Sequence, residues 1–479
     1  MVTRKEDFSR WYIQTIQQAD LMDYSPVRGC MIFKPNGYEI WEHIQDEFNR
    51  KFKAEGIRNA YFPMLIPESF FEKEKDHIEG FSPELPWVTE AAGEKLEERL
   101  ALRPTSETII GDAYSRWIQS HRDLPLEINQ WANVFRWEMR TLPFLRTSEF
   151  LWQEGHTVHA TAEEAKERTM RMLKIYEETV EDLLALPVFS GEKTPSERFA
   201  GAERTYSIEA MVQDGRSIQA GTSHYMGTRF AEAFDIRYLN KENKHVYAYT
   251  TSWGVSTRLI GTLIMMHGDD QGLVLPPKIA PQQVILIPVG PWQKNPAIME
   301  KIEEFHKALK DRGYRTVIDD TDHSPGYKFN EWELRGAPLR IELGPRDLEN
   351  DQALIKLRDE EEKLTVDLDQ VIETVEEELD KMQTRLLEKA RQMNKDNCYT
   401  DIDTMDELKA HIEAKQAEGD HPGWILAGWD GTEETEAFIQ EETGFTTRNM
   451  PFEGQFEKKA TCIVTGKPAK ETVWLARAY

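Results

Sequence analysis

The sequence predicts an α+β protein of several domains, and two stretches carry this prediction. Trp131–Ala160 has the pattern of two strands joined by a loop that contains Pro143, which indicates an antiparallel hairpin. Beyond the proline-rich segment Pro276–Gln283, apolar runs alternate with helical segments in the order β-α-β-α-β, which is typical of an α/β domain with a parallel or mixed sheet. A chain of 479 residues also exceeds what one compact core accommodates, so we expect two to four domains.

Charge and composition narrow the class of protein. The chain has 85 acidic against 59 basic residues, a net charge of −26, which argues against a membrane-surface or general DNA-binding protein but leaves room for a local basic groove that binds a specific RNA. Charges interrupt the first residues where a signal peptide needs an apolar core, and no apolar run approaches the roughly 20 residues of a membrane span. Three cysteines are too few for a disulfide scaffold, so we expect a cytoplasmic enzyme.

The predicted hairpin presents one polar face, because side chains alternate along a strand. Its members would be Val134, Arg136 and Glu138 on the first strand and Trp152, Glu154 and His156 on the second. The opposite face would bury Phe135, Trp137 and Met139. An ordinary hairpin with one solvated face is the alternative, but an indole among the charges favours a ligand site. Two loop arginines, Arg140 and Arg146, suit an anion held by forked donors.

The segment before the hairpin predicts a helix, a strand and a second helix. Tyr38–Ala54 repeats apolar residues at four-residue spacing and is followed by Gly56, so it predicts an amphipathic helix. Asn59–Pro67 predicts a strand, which its prolines confine to an edge or a subunit contact. Residues 68–100 are acidic and read as irregular. Thr105 and Glu107 then precede a helical pattern, where they would ordinarily be capping and first-turn residues.

The region after the hairpin predicts a helix over Glu163–Leu186, then a short strand bracketed by Gly215 and Gly221. In that strand Gln219, Gly221 and Ser223 would share a face, and His224 follows. A lone histidine is more often structural than functional.

A second strand, Tyr247–Ser252, is predicted to lead through Trp253 and Gly254 into a helix over Ser256–His267. Arg258 would then lie in the first turn, where arginine opposes the helix dipole but completes an anion site with the backbone N–H groups.

Four motifs together resemble one family. FRWEMR with FLRTSEFLWQEGHT resembles motif 2 of the class II aminoacyl-tRNA synthetases, in the form found in prolyl-tRNA synthetases of the archaeal and eukaryotic-like type. RPTSE at Arg103–Glu107, QAGTSH at Gln219–His224 and SWGVSTR at Ser252–Arg258 extend the resemblance in the expected order. The long helix, strand and Pro63 resemble motif 1, which implies a homodimer. Arg136 and Arg258 are only 258 − 136 = 122 positions apart, so the editing domain that some members insert there is not expected.

The resemblance implies three domains. Residues 1–275 would form an α+β catalytic domain built on an antiparallel sheet, the class II synthetase fold. Residues 282–365 would form an α/β anticodon-binding domain. Residues 366–479 would form a long helix, with Val371, Val375, Leu379, Met382 and Leu386 as its apolar stripe, and a small α+β C-terminal domain.

The same resemblance implies a proline–tRNA ligase that uses ATP and Mg²⁺ to join L-proline to tRNA(Pro). Arg136 and Arg258 would be catalytic. The residues implied for ATP are Arg136, Glu138, Arg146, Thr147, Gln219, Thr222, Ser256 and Arg258. Those implied for proline are Thr105, Glu107, Arg136, Trp152, Glu154, His156 and His224. Contacts to the tRNA anticodon are expected from Glu333, Arg340, Arg346 and Lys356, which on sequence alone are as well explained as surface charges.

The C-terminal domain resembles a zinc-binding domain that has lost most of its ligands. Where the family carries four cysteines, this sequence has Asp430, Thr435, Cys462 and Thr465, and one thiolate with one carboxylate does not close a structural zinc site. We therefore expect no zinc, and we expect packing around Trp424, Trp429 and Trp474 instead. Tyr479 resembles a C-terminal tyrosine that folds back toward the active site in the family.

Three alternatives remain open from the sequence. A class II synthetase for threonine, glycine, serine or histidine would share the hairpin and the helix-start arginine. A catalytically silent paralogue that binds tRNA or a partner would be expected to have lost Arg136, Glu138 or Arg258, and all three are present. A nucleotide-binding regulator would differ from both in forming no adenylate.

Overall fold

The computed structural model describes residues 2–72 and 85–479. The N-terminal part begins with a helix, a small hairpin and a second, longer helix. In chain order its elements are α1 (Phe8–Gln18), β1 (Met22–Tyr24), β2 (Met31–Phe33), α2 (Pro35–Ala54), β3 (Arg58–Asn59), β4 (Leu65–Pro67) and α3 (Glu68–Phe71). The prediction of an amphipathic helix ending before Gly56 is confirmed, since α2 buries Ile40, Ile44, Phe48 and Phe52. Gly56 has φ +86°, a left-handed conformation that glycine adopts without strain.

The next elements build the central sheet. They are β5 (Trp87–Ala91), β6 (Glu94–Leu102), α4 (Glu107–Trp117), β7 (Leu126–Phe135), β8 (Glu149–His159), α5 (Ala162–Leu184), β9 (Phe189–Glu192), β10 (Arg204–Met211), β11 (Ser217–Gly227), α6 (Arg229–Phe234), β12 (Arg237–Leu239), β13 (His245–Tyr247), β14 (Tyr249–Ser256) and α7 (Arg258–His267).

A mixed sheet follows. Its elements are β15 (Val284–Pro288), α8 (Pro296–Asp311), β16 (Thr316–Ile318), α9 (Pro325–Leu334), β17 (Leu339–Leu343), α10 (Pro345–Glu349), β18 (Gln352–Leu357), β19 (Lys363–Asp367) and α11 (Val371–Asp396). Strands β16, β15 and β17 are parallel, and β18 and β19 continue the sheet antiparallel. The predicted β-α-β-α-β order is confirmed, and the predicted stripe of α11, from Val371 to Leu386, is buried against this sheet.

The last elements are β20 (Cys398–Tyr399), α12 (Met405–Ala417), β21 (Trp424–Trp429), α13 (Glu433–Thr443), β22 (Thr446–Thr447), β23 (Met450–Pro451) and β24 (Glu471–Ala476). Trp424, Trp429 and Trp474 are fully buried, as predicted. Strand β23 belongs to the C-terminal part of the sequence but pairs with β9, so it forms one edge of the central sheet.

The central sheet has the order β23-β9-β10-β11-β14-β8-β7-β3 and is antiparallel except at the β3 edge, which runs parallel to β7. One face carries the core formed with α2, α5 and α7. Trp253 of β14 packs into this core, with its ring centroid 5.0 Å from that of Phe52. A Cβ on the facing Gly155 would lie 2.1 Å from the Trp253 indole, so only glycine fits there. The opposite face of β8, β11 and β14 is left for a cleft.

Several predictions about individual segments are wrong. Asn59–Pro67 is not one strand, because β3 joins the central sheet and β4 joins a separate sheet with β5 and β6; both lie at edges, as the prolines require. Residues 68–100 are not irregular throughout, since α3, β5 and most of β6 lie there. Residues 73–84 of that stretch are outside the described part of the chain.

The hairpin and the two later strands also differ from the prediction. Strand β7 ends at Phe135, so Arg136 and Glu138 lie in the loop, and the loop residues Trp137 and Met139 are exposed rather than buried. Strand β14 runs from Tyr249 through Trp253 and Gly254 to Ser256, so it does not end at Ser252 as predicted. In β11 a bulge at Ala220 breaks the alternation, because Gln219 pairs with Glu209 while Gly221 pairs with Ile208.

Among residues 2–72 and 85–479, none of the helices combines the length and the apolar character needed to cross a bilayer.

Candidate active site

The cleft lies on the open face of the central sheet and is bounded by the starts of α4 and α7. Strand β8 supplies one row of its lining, because Phe150, Trp152, Glu154 and His156 alternate toward the same side. Strand β11 contributes the segment Gln219–Thr222 and His224. Of the predicted site residues, those that line the cleft are Thr105, Glu107, Arg136, Trp152, Glu154, His156, Gln219, Thr222, His224, Ser256 and Arg258.

Arg136 follows the last residue of β7 and is held by the backbone on both sides. Its N–H donates to the Ser148 carbonyl at 2.9 Å, which extends the hairpin pairing by one residue. Its Nε donates to the Pro104 carbonyl at 3.1 Å, and the guanidinium carbon lies 5.3 Å from the Trp152 ring centroid. These contacts direct the side chain into the cleft.

Arg258 is the first residue of α7. Its Nε donates to the Leu145 carbonyl at 3.1 Å, which joins the helix start to the hairpin loop. Burial, together with the nearby charges of Arg136 and Arg146, lowers the pKa of Arg258 to about 10. A guanidinium with this pKa is still charged at pH 7, so three arginines concentrate positive charge at this end of the cleft.

Glu107 and Glu154 bring carboxylates to the other part of the cleft. The Thr105 hydroxyl donates to Glu107. Glu154 is buried, and its oxygens accept from the Ser106 N–H at 3.2 Å and from the Gln130 side-chain amide at 2.9 Å. These donors fix the Glu154 carboxylate at the floor of the cleft.

His156 and Glu154 form an ion pair with Nε2 and Oε2 3.8 Å apart. Burial opposes ionisation of both groups. For Glu154, hydrogen bonding and the charge of His156 outweigh it and hold the pKa below its ordinary value. For His156, the neighbouring negative charges of Glu154 and Glu107 outweigh it and raise the pKa. The two carboxylates outnumber the one imidazole whether or not it is protonated, so this part of the cleft suits a cationic ligand group.

The surroundings of His224 lower its pKa, whereas those of His156 raise the pKa of that residue. Burial lowers its pKa to about 3, and the charges of His156 and Arg136 contribute to the lowering. Its Nδ1 is 3.0 Å from the Thr205 hydroxyl, and its ring stacks on Phe199 with centroids 4.6 Å apart. His224 is therefore a neutral imidazole at neutral pH.

The charge of Arg136 lowers the pKa of both His224 and Arg258. The guanidinium of Arg136 lies over Phe150 and Trp152 of β8, Glu154 and His156 follow along the same strand, and Ser256, two residues before Arg258, pairs with Trp152. Along β8, Arg136 therefore has the histidine part of the cleft on one side and the Arg258 part on the other. An anion bound at Arg136 would have a cation-binding pocket on one side and further positive charge on the other.

Three predicted nucleotide residues do not line the cleft. Glu138 and Arg146 lie in the hairpin loop, with Glu138 Oε2 3.8 Å from Arg146 Nε. Thr147 is buried, and its hydroxyl donates to the Glu149 carbonyl at 2.7 Å. The loop reaches the cleft through Leu145, whose carbonyl accepts from Arg258.

Sequence reasoning missed part of the lining. Phe150 could have been found by extending the alternation of Trp152, Glu154 and His156 by one more step. Glu197, Arg198 and Phe199 come from an irregular segment after β9, which has no periodicity that could have marked them.

The four predicted anticodon residues are only partly brought together. Glu333, Arg340 and Lys356 line one small pocket on the mixed sheet, whereas Arg346 is exposed on α10 and does not line it. Arg340 donates to Glu333 at 2.7 Å and to Glu342 at 2.8 Å, and its guanidinium lies 4.2 Å from the Phe329 ring centroid.

The zinc-like positions are occupied by hydrogen-bonding and packing groups. Asp430 Oδ1 accepts from the Thr435 hydroxyl at 2.7 Å. Burial opposes ionisation of Asp430, but the hydrogen bonds from Thr435 and Thr432 outweigh it and lower the pKa. Cys462 is buried. Within residues 2–72 and 85–479, no three histidine, cysteine or acidic residues cluster as metal ligands would, and the absence of zinc stays a prediction.

Tyr479 folds back onto the turn between β10 and β11. Its hydroxyl donates to Asp214 at 2.5 Å, and its backbone N–H donates to the Ser217 carbonyl at 3.1 Å. Tyr479 is not among the residues that line the cleft.

Three family models match consecutive parts of the chain. The tRNA synthetase class II core domain (G, H, P, S and T) matches residues 87–267, the anticodon binding domain matches residues 283–378, and the C-terminal domain of prolyl-tRNA synthetase matches residues 405–479.

Curated relatives match over nearly their whole length. The proline–tRNA ligase of Symbiobacterium thermophilum is 60% identical over 476 residues, which cover 99% of this chain and 97% of that protein. The proline–tRNA ligase of Alkaliphilus oremlandii is 52% identical over 474 residues, which cover 99% and 96%. The proline–tRNA ligase of Chloroherpeton thalassium is 50% identical over 487 residues, which cover 100% and 99%.

Proposed function

The chain belongs to the prolyl-tRNA synthetases of the class II aminoacyl-tRNA synthetase family, and we propose that it joins proline to tRNA(Pro) at the expense of ATP. The observation that carries this function is the position of Arg136 between two differently charged parts of one cleft. Glu107, Glu154 and His156 form a net negative pocket on one side, and Arg258 adds positive charge on the other.

The reaction has two steps. In the first, the carboxylate of proline attacks the α-phosphorus of ATP, which gives prolyl-adenylate and pyrophosphate. A carboxylate is already ionised at pH 7, so this step requires in-line placement and neutralisation of charge rather than a general base. In the second, the terminal ribose hydroxyl of the tRNA attacks the activated carbonyl and displaces AMP.

The amino-acid pocket would be formed by Thr105, Glu107, Trp152, Glu154, His156 and His224. The cationic imino group of proline fits the net negative charge of this pocket, and Glu107 is the carboxylate we assign to it. His156 lies beside Glu154 and offsets that carboxylate when it is protonated, so Glu107 is the carboxylate that remains to attract the imino group.

Arg136 would bind the proline carboxylate and the α-phosphate together, which places the attacking oxygen near the phosphorus. Arg258 would hold the γ-phosphate. Gln219, Thr222 and Ser256 also line the cleft and would complete the nucleotide site. The Gln219 carbonyl accepts from the Arg258 guanidinium at 3.5 Å, and the Ser256 hydroxyl accepts from the Arg258 N–H at 3.1 Å. We assign Glu138, Arg146 and Thr147 to the same site through the hairpin loop, which would move toward bound ATP.

Mg²⁺ would enter with ATP. Magnesium is commonly held by substrate phosphates with one or two carboxylates, and two arginines without a carboxylate cluster face the proposed phosphate position. Arginines do not coordinate metal ions, so among the described residues the ion would be held mainly by phosphate oxygens and water, where it would offset the negative charge of the phosphates. We propose that no zinc is bound in the C-terminal part.

Specificity for proline has a physical limit. Alanine and cysteine are smaller and enter a proline pocket, and a difference of one or two methylenes discriminates by only ~1–3 kcal/mol. The positions between Arg136 and Arg258 are filled by the elements from β8 to β14, so no additional domain is inserted there to remove mischarged products. Mischarged tRNA would have to be removed by another protein.

We also propose a homodimer formed by the segment that follows α2. Tyr61 and Leu65 are exposed there, and Trp117 at the end of α4 is exposed beside Phe62, with ring centroids 5.9 Å apart. Large apolar side chains exposed together favour a subunit contact. Analytical ultracentrifugation should give twice the chain mass, and Tyr61→Arg should shift the protein toward the monomer. A wild-type protein that stays monomeric at micromolar concentration would contradict the dimer.

We place the enzyme in the cytoplasm. Its three cysteines, Cys30, Cys398 and Cys462, are free thiols, which agrees with a reducing compartment.

The first experiment is amino-acid-dependent exchange of pyrophosphate into ATP, with purified protein, Mg²⁺ and each of the twenty amino acids. We expect the strongest exchange with proline. Exchange with another amino acid would contradict the pocket assignment, and no exchange from folded protein would favour a silent paralogue.

A further inference from the structure

One wall of the cleft is formed by an irregular segment between β9 and β10. Glu197, Arg198 and Phe199 of this segment line the cleft. The Phe199 N–H donates to the Thr205 hydroxyl at 3.0 Å, and its ring stacks on His224. These contacts hold Phe199 in the wall of the cleft.

The C-terminal part of the chain holds the start of that segment. Glu436 of α13 directs both carboxylate oxygens at it, because Oε1 accepts from the Thr194 hydroxyl and Oε2 from the Ser196 hydroxyl, each at 2.7 Å. The Thr447 hydroxyl also donates to Glu436. Thr194 and Glu436 are 242 positions apart, so this contact exists only when the C-terminal part is docked.

A buried ionic network makes a second connection. Glu209 of β10 is fully buried and lies 3.3 Å from both Lys193 Nζ and Arg448 Nη2. The hydroxyls of Ser207 and Ser217 donate to the same carboxylate at 3.0 and 2.9 Å. Two cations around one carboxylate leave a surplus positive charge.

That surplus charge faces the cleft wall. Lys193 Nζ is 3.7 Å from Glu197 Oε2, and Glu197 lines the cleft. Burial lowers the pKa of Lys193, and the charge of Arg448 acts in the same direction while Glu209 and Glu197 oppose it. Arg448 thus acts on Glu197 through Glu209 and Lys193.

Backbone pairing between β23 and β9 fixes the position of the C-terminal part relative to the central sheet. Strand β23 pairs with β9 through Met450 and Glu192, immediately before Lys193. A Cβ at Gly191 would lie 2.3 Å from the Met450 carbonyl oxygen, so the two backbones approach as closely as glycine permits.

We propose that Glu436 and Arg448 are positioning residues of the active site, which hold residues 193–199 so that Glu197 and Phe199 close the amino-acid part of the cleft. This inference rests on the proposed function and adds to it a role for the C-terminal part in binding the amino acid. Neither residue touches the proposed substrates.

The test compares Glu436→Ala with Glu434→Ala in proline-dependent pyrophosphate exchange. Glu434 lies on the same helix with an exposed side chain, so its removal makes the same change of charge away from the cleft wall. We expect Glu436→Ala to raise the KM for proline by about tenfold, as loss of a charge-assisted hydrogen bond would. The KM for ATP and kcat should stay within about twofold of the wild-type values. The melting temperature should stay within a few degrees of the wild type. Glu436→Gln, which keeps one acceptor oxygen, should recover part of the loss.

A second readout does not depend on activity. Hydrogen exchange of residues 193–205 should be faster in Glu436→Ala and in Arg448→Met than in Glu434→Ala. An unchanged KM for proline in Glu436→Ala, or an equal rise in the KM for ATP, would overturn the positioning role. If the wild type showed no proline-dependent pyrophosphate exchange, the proposed function would fail. Separately, hydrogen exchange of residues 193–205 that is the same in Glu436→Ala as in Glu434→Ala would overturn the positioning contact.

Discussion

The Arg136 guanidinium lies over the face of Trp152, with its central carbon 5.3 Å from the ring centroid. Phe150 lies at a similar distance of 5.5 Å, and the Pro104 carbonyl accepts from Nε. Arginine gains from such aromatic contacts, which orient its plane. A charged group that is already oriented needs no reorganisation when charge develops on a substrate, which is the condition for stabilising a transition state electrostatically.

Replacement of Arg136 should therefore lower the rate of adenylate formation rather than only weaken binding. If one charged donor contributes about 3 kcal/mol in the transition state, Arg136→Ala should lower kcat for proline-dependent pyrophosphate exchange by roughly 10²-fold or more. Arg136→Lys should recover little, since a lysine cannot bridge two anionic groups as a planar fork does.

Arg122→Ala is the matched control, because Arg122 is an exposed arginine just before β7 that does not line the cleft. It should exchange at close to the wild-type rate. A near-normal rate in folded Arg136→Ala would remove Arg136 from catalysis.

Arg258 should destabilise the ligand-free folded protein although adenylate formation should require it. Burial and the like charges of Arg136 and Arg146 together lower its pKa to about 10, so the charged form is disfavoured in the folded protein without ligand. Arg258→Gln should therefore raise the first thermal transition by about 2 °C or more while lowering the exchange rate by at least about 10²-fold. Differential scanning calorimetry without ATP tests the first effect. A lower transition temperature with unchanged rate would contradict both.

The predictable part of the site came from short-range periodicity. The alternation of Trp152, Glu154 and His156 fixes their common face in any strand, and this holds whatever the rest of the fold does. The same rule failed for Gln219 and Ser223, because the bulge at Ala220 turns the strand between them: Gln219 lines the cleft, and the Ser223 hydroxyl donates to the Thr169 carbonyl on the other face.

The parts that could not be predicted depend on long-range pairing. Arg136 is placed by its backbone hydrogen bond to Ser148 after β7 has ended. Glu197 follows Thr194 and Ser196, whose hydroxyls bind Glu436, and Phe199 is placed by stacking on His224. No local pattern encodes such contacts. Arg136 and Arg258 were predicted from the resemblance to the synthetase motifs. A motif identifies a site residue even where its position in the fold depends on long-range contacts.

His267 should make the protein less stable as the pH falls. Burial lowers its pKa to about 4, although its Nε2–H donates to the Leu184 carbonyl at 2.9 Å. Between pH 6.5 and about 4 the unfolded chain binds a proton at this residue that the folded protein does not, so the free energy of unfolding falls with decreasing pH by up to about 1.4 kcal/mol per unit.

His267→Gln keeps a donor and removes the titration. Urea denaturation at pH 7, 6 and 5 should show a pH dependence that is smaller by about 1 kcal/mol per unit in this variant between pH 6 and 5. His245→Gln, at an exposed histidine, should leave the wild-type dependence unchanged. Parallel curves for wild type and His267→Gln would exclude this role.

Arg340 should act in charging of tRNA and not in activation of proline. Arg340 is held by Glu333 and Glu342 in a pocket that also contains Lys356, on a different sheet from the cleft. An arginine fixed by carboxylates presents its remaining donors in a defined direction, and a guanidinium held in this way is suited to the edge of an unpaired base. If these residues contact the anticodon, Arg340→Gln should raise the KM for tRNA(Pro) by about tenfold, equivalent to ~1–3 kcal/mol for one base contact. Proline-dependent pyrophosphate exchange without tRNA should stay unchanged, which excludes a general loss of folding.

Arg346→Gln is the discriminating comparison, because Arg346 is exposed on α10 outside the pocket. If Arg346→Gln impaired charging as much as Arg340→Gln, the contact surface would extend over α10 rather than centre on the pocket, and if neither variant changed the KM for tRNA, the anticodon would have to bind elsewhere.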